Sequence, residues 1–185
     1  MLYLVGGCGR SGKSSLAERM RARHGVPWFP LDALKMGLYL GAPEFGVHPE
    51  HDDLETADRM WPVISGLVEN LIFDGRDYLV EGVNLRPDTV AAVIQQSDDP
   101  IRACFLGYPD LPADAKAAHV AAHTGLPNDW LNRMGPDYVG RYLAHCQRLS
   151  ARLRDDCARL GLAFFDTGAD FHAGLAGAER WLAGD

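Results

Sequence analysis

Gly7-Cys8-Gly9-Arg10-Ser11-Gly12-Lys13-Ser14 is the stretch that decides how this chain reads. It meets every required position of the phosphate-loop pattern G-x-x-x-x-G-K-[ST]. Leu2-Tyr3-Leu4-Val5 before it has the makeup of a short buried strand, and Ser15-Leu16-Ala17-Glu18-Arg19-Met20-Arg21 after it predicts a helix. Phosphate binding needs that order of strand, glycine loop and helix. Glycines let the backbone curl until successive N–H groups point inward at phosphate oxygens. The helix start adds unpaired donors and the positive end of its dipole. Gly7, Cys8, Gly9, Arg10, Ser11, Gly12, Lys13, Ser14 and Ser15 are therefore the candidate nucleotide-binding set. Lys13 is expected to reach the β- and γ-phosphates, and the Ser14 hydroxyl to sit on Mg²⁺.

Outward from the loop, 185 residues predict one domain, 1–185, long enough to bury a full core. Hydrophobic residues make up 47% and charged residues 23%, as in ordinary globular proteins. A net charge of −7 argues against duplex nucleic acid as the main partner, because phosphate contacts need a basic face. It leaves nucleotide binding open, since one loop and one metal supply most of the positive field. No apolar run approaches 18 residues, so no membrane span is expected, and a cytoplasmic location is. Cys8, Cys104, Cys146 and Cys157 form no C-x-x-C and read as reduced thiols. Cys8, inside the loop, is expected to be alkylatable.

Further along, Gly25-Val26-Pro27 stops the first helix. Trp28–Leu31 reads as a second strand ending at Asp32, where an acid faces the ligand crevice of a parallel sheet. Residues 41–53 read as irregular. Apolar positions from Ala57 to Ile72 recur at helical spacing, and Pro62 predicts a kink or break there. Tyr78-Leu79-Val80 is a third strand closed by Glu81-Gly82, and Ile101–Leu106 a fourth. Helices are expected near 88–97 and 113–123. Pro136 opens a long helix that Gly161 stops. Leu162–Phe165 is a fifth strand, followed by Asp166-Thr167-Gly168 and a last helix over about 171–183. Short apolar strands alternating with helices argue for a parallel sheet covered on both faces.

With the loop after the first strand and acids ending strands two and three, the chain resembles the small P-loop kinases. That group includes the adenylate kinase-like and shikimate kinase-like metabolite kinases. The resemblance covers most of the chain in element order, and its residue-level support is concentrated at the loop. It implies the three-layer α/β P-loop NTPase fold, with a five-stranded parallel sheet in order 2-3-1-4-5. It also implies a substrate-binding insertion, here about 36–75, and a lid, here about 113–135. Glu81-Gly82 followed by Arg86-Pro87 looks like the acid-glycine-arginine stretch in which the arginine contacts the acceptor's phosphate, with the spacing off by one residue. Thr167 falls in the loop that contacts adenine. The lid departs from the arginine-rich adenylate kinase pattern, with only Arg133 and Arg141 near it.

The function expected is transfer of the ATP γ-phosphoryl group to a hydroxyl of a small-molecule acceptor, assisted by Mg²⁺. Lys13 and lid cations such as Arg133 would meet the charge on the transferring group. Asp32 is the expected base, or else a helix N-cap before Ala33. Glu81 would order Mg²⁺ or touch the acceptor, and Arg86 would bind the acceptor or remain a surface charge. Glu44, Glu50, Asp52, Asp53, Glu55 and Asp58 either form a solvated face or favour a neutral or cationic acceptor. His119 and His123 lack the glutamate of H-E-x-x-H and a third ligand. Asn128-Asp129-Trp130 either closes over a substrate or anchors its loop. The alternatives are an NTP-hydrolysing regulator with a protein partner, a nucleoside or nucleotide kinase, and a polynucleotide-end kinase. Oligomeric state is not readable.

Overall fold

The computed structural model describes residues 1–123 and 129–184. Its centre is strand β1, Leu2–Gly7, buried along its whole length. β1 pairs in parallel with β3, Tyr78–Glu81, on one side and with β4, Ile101–Gly107, on the other. β2, Trp28–Pro30, lies outside β3, and β5, Ala163–Asp166, outside β4. The order is therefore β2-β3-β1-β4-β5, all parallel, as the resemblance implied.

Side chains alternate across a strand, so successive residues of β1 feed opposite cores. Leu2 and Leu4 join the core covered by α2, Leu31–Gly41, α3, Asp53–Asp74, α4, Pro87–Gln96, and α6, Pro136–Leu160. Tyr3 and Val5 join the core covered by α1, Lys13–His24, and α7, Phe171–Ala183. α5, Ala113–Ala122, packs on the N-terminal part of α6 through Val120, Leu131 and Leu143. Covering both faces is why the strands read as continuous apolar runs.

Most boundaries follow local chemistry. Gly25 and Gly161 cap α1 and α6 in the left-handed conformation, at φ 70° and 68°. One alternative falls away and one boundary moves. Pro62 does not break its helix: α3 is continuous from Asp53 to Asp74, because Ala57, Met60, Ile64 and Val68 bury one face on both sides of the proline. β2 ends at Pro30 rather than Leu31, and α2 begins at Leu31. Asp32 thus lies inside the first turn of α2 and makes no capping hydrogen bond.

Candidate active site

Parallel strands bring Gly7, Pro30, Glu81, Gly107 and Asp166 to one edge of the sheet, where each chain segment turns into a loop. The phosphate loop lies across this edge. Arg10 and Gly12 both adopt the left-handed region, at φ 60° and 99°, which bends the loop back onto the start of α1. A Cβ on Gly7 would overlap the Leu106 carbonyl, and one on Gly9 would overlap the Tyr142 hydroxyl of α6. Glycine is therefore needed at Gly9 to admit α6, as well as for the turn.

The loop is tied down from every side. Thr167 Oγ1 lies 2.9 Å from the Ser11 carbonyl and 3.1 Å from that of Gly107, and the Tyr108 hydroxyl donates to the Gly9 carbonyl at 2.9 Å. Thr167 is buried, so the structure gives this residue a loop-holding contact. Lys13 Nζ reaches back to the Cys8 carbonyl at 2.7 Å, which Ser11 Oγ also meets at 2.9 Å. Ser15, beside Ser14 on α1, is exposed.

Ser14 Oγ donates to Glu81 Oε1 at 2.9 Å across the gap between α1 and β3. These two oxygens, one neutral and one anionic, are the hard donors a Mg²⁺ ion accepts, so the residues fit the metal. Burial raises the Glu81 pKa above the usual carboxylate range, offset in part by Lys13 and the Ser14 hydrogen bond.

Asp32 is half-exposed and pairs with Lys35 at 3.0 Å. Arg86 is held by Asp58 and by a two-point contact with Asp88, so two carboxylates occupy it. Asp52 caps α3 through Leu54 N, and Glu55 pairs with Arg59. Much of the acidic segment is thus used within the protein. Arg133 stands exposed on a short 3₁₀ turn, Leu131–Arg133, with no ion pair among the described residues. Trp130 packs edge-on against Tyr142 at 5.2 Å between centroids, the anchoring alternative. Thr124 to Asn128, part of the expected lid, lie outside the described residues.

Cys8 corrects an expectation. It is fully buried, its Sγ lies 3.0 Å from Ser150 Oγ, and burial pushes its thiol pKa up, so it is no alkylation handle. Its side chain turns into the core. His123 Nδ1 turns to the His119 carbonyl at 2.8 Å, and no metal-holding cluster occurs among the described residues.

Two residues had escaped the motif-based reading. Lys116, on α5, is buried at 5% exposure without an ion pair among the described residues. Its Nζ stacks 4.4 Å from the Tyr108 ring centroid, and burial lowers its pKa, with Arg10 adding repulsion. Lysine scarcity was the available signal: the chain has only Lys13, Lys35 and Lys116. The second is Asp53, at the start of α3, whose carboxylate lies 3.7 Å from His145 Nε2 on α6. Burial raises its pKa, opposed by His145, Lys35 and Lys13 in that order. Nothing in the sequence singled it out from its acidic neighbours.

No protein-family model matches the chain, and no curated protein matches it. Solved structures do. A gluconokinase from Sinorhizobium meliloti 1021 aligns with a TM-score of 0.57 at 19% identity, covering 98% of this chain and 93% of that one. A provisionally assigned kinase from Chloroflexus aurantiacus aligns with a TM-score of 0.57 at 16% identity, covering 99% and 93%. An uncharacterized protein from Eubacterium ventriosum aligns with a TM-score of 0.56 at 11% identity, covering 100% and 99%. The fold is thus one that kinases use, over nearly their whole length.

Proposed function

We propose that this protein is an ATP-dependent phosphotransferase that moves the γ-phosphoryl group to a hydroxyl of a small-molecule acceptor. The observation that carries the reading is the Ser14–Glu81 contact beside Lys13, under a loop whose backbone is fixed by Thr167 and Tyr108. The likeness in fold to a gluconokinase is in keeping with it.

Phosphoryl transfer needs positioning and positive charge more than covalent help. The backbone from Gly7 to Ser15 cradles the phosphates. Lys13, now on the Cys8 carbonyl, swings to the β- and γ-phosphates. Ser14 and Glu81 would hold Mg²⁺, which when bound neutralises phosphate charge. Arg133 and Lys116 add cations from the lid side, and Arg86 borders the acceptor. A carboxylate takes the hydroxyl proton, and Asp32 or Asp53 supplies it.

Thermal unfolding with Mg·ATP, followed by ADP release with and without acceptors, tests this. Ligand at 100 times its dissociation constant stabilises by about 2.7 kcal/mol. At roughly 2–4 °C per kcal/mol for this size, the midpoint should rise by several degrees. Lys13→Ala should abolish that rise. ATP hydrolysis that no acceptor accelerates would favour the regulator reading, and no nucleotide effect at all would sink both.

A further inference from the structure

α6 leaves the phosphate loop and runs along a cleft. Tyr142 touches Gly9, and His145, one turn on, meets Asp53. Arg148 and Arg152 follow on the same side, lining the cleft with Asp53 and Leu54 of α3. The space continues past Arg152 to Val83, Leu85 and Arg86 after β3, with a cavity of about 340 Å³. That volume suits a small metabolite.

The formal charges in this cleft balance, four aspartates against four arginines, but they are unevenly paired. Asp52 caps α3 through one hydrogen bond, Asp88 is bound to Arg86, and Asp156 pairs with Arg159 at 2.8 Å. Arg148 and Arg152 are exposed and form no ion pair among the described residues. Asp53 lines the same part of the cleft and lies 3.7 Å from His145 Nε2. Guanidinium pairs left over in a cleft fit the planar oxygens of a carboxylate or phosphate.

We propose that this cleft is the acceptor site, that Arg148 and Arg152 bind an anionic group of the acceptor, and that Asp53 receives its reacting hydroxyl. The inference rests on the phosphotransfer reading and narrows it to hydroxylated anions. Position along α6 sets the acceptor's length. At about 1.5 Å per residue, Arg148 lies about 4.5 Å and Arg152 about 10.5 Å beyond His145 along the axis. The anionic group therefore sits several atoms from the hydroxyl, as in a short polyol acid or polyol phosphate. Asp53 meets His145 one helical turn from Tyr142, which touches Gly9, and this puts the hydroxyl at the phosphate end of the cleft. In the transfer, the acceptor oxygen bonds to the γ-phosphorus and its proton passes to the Asp53 carboxylate. The bond from that phosphorus to the β–γ bridging oxygen breaks, and ADP leaves with that electron pair.

The test uses the whole chain and three probes at equal ionic strength: D-gluconate, sn-glycerol 3-phosphate and neutral sorbitol. Unfolding midpoints are read without nucleotide. Either anionic probe should raise the midpoint of the parent and of the Arg154→Gln control, and sorbitol should not. The doubly substituted Arg148→Gln/Arg152→Gln protein should lose the rise. A response to gluconate alone assigns a carboxylate, and one to the phosphate ester alone a phosphate. No rise with either anion, or a rise the double variant keeps, overturns the site. ADP release then reads the chemistry. Arg148→Gln should raise the KM of the responding anion about tenfold, with KM for Mg·ATP unchanged. Asp53→Asn should keep anion binding and lose transfer by about 10²-fold or more. Parent-like transfer by Asp53→Asn overturns its role. Anion binding without any ADP release would instead count against the phosphotransfer reading and leave the cleft standing.

Discussion

At the scale of single side chains, two buried charged residues besides Lys13 lie by the candidate site. Lys116 is enclosed beside Tyr108 without a carboxylate, a placement that costs stability. Lys116→Met should therefore raise the unfolding midpoint of the ligand-free protein while lowering transfer by about 10²-fold, the scale of losing one electrostatic stabiliser. A drop in both stability and transfer would make it a packing residue. Glu81 behaves in the same sense through pH. Its folded pKa is raised above the unfolded value near 4.3. The stability linked to it is then fully present below that value and is lost as pH rises through the raised folded pKa. Ligand-free Glu81→Gln should lose that component of the pH dependence and gain stability relative to parent towards neutral pH. Parallel midpoint-against-pH curves for the two proteins would contradict this. The same variant should bind Mg·ATP more weakly, since one of the two hard oxygens becomes an amide.

Among the elements, α3 and α6 decide what the site can hold. α3 carries Pro62 on an exposed position in the middle of a 22-residue helix. Proline has no N–H, so the Asp58 carbonyl loses its helical partner. Pro62→Ala should restore that bond and stabilise the protein by about 1–3 kcal/mol, read by urea unfolding with an unchanged slope. Destabilisation would show that the proline ring is shaping α3 for its packing. α6 was legible as a long helix because Pro136 and Gly161 bracket it and its apolar face repeats. Its use was not legible. Arg148 and Arg152 look in sequence like any solvated arginines on an amphipathic helix. Only the packed structure shows that Asp88 and Asp156 pair with other arginines, while Arg148 and Arg152 pair with no carboxylate among the described residues.

For the whole molecule, the sheet order sets the arrangement. β1 between β3 and β4 places the phosphate loop over the middle of the sheet, with Glu81 on one side and Gly107 on the other. Its two cores, fed alternately by Leu2, Leu4 and by Tyr3, Val5, hold α1 and α7 on one face and α2, α3, α4 and α6 on the other. Among the described residues no helix is long and apolar enough to cross a membrane.

By itself the sequence determined the phosphate loop, the alternation of strands and helices and the capped ends of the long helix. These depend on short-range rules: glycine's freedom at positive φ, proline's missing donor, and the spacing of apolar residues. Strand order came only through resemblance and is now seen in the pairing. The tertiary structure alone decided that Cys8 turns inward, that Arg86 is held by Asp58 and Asp88, that Lys116 is buried over the Tyr108 ring, and that Asp53 meets His145 across 92 residues. Charge balance is a property of neighbours in space, and residues far apart in the chain become neighbours only when the helices pack on the sheet.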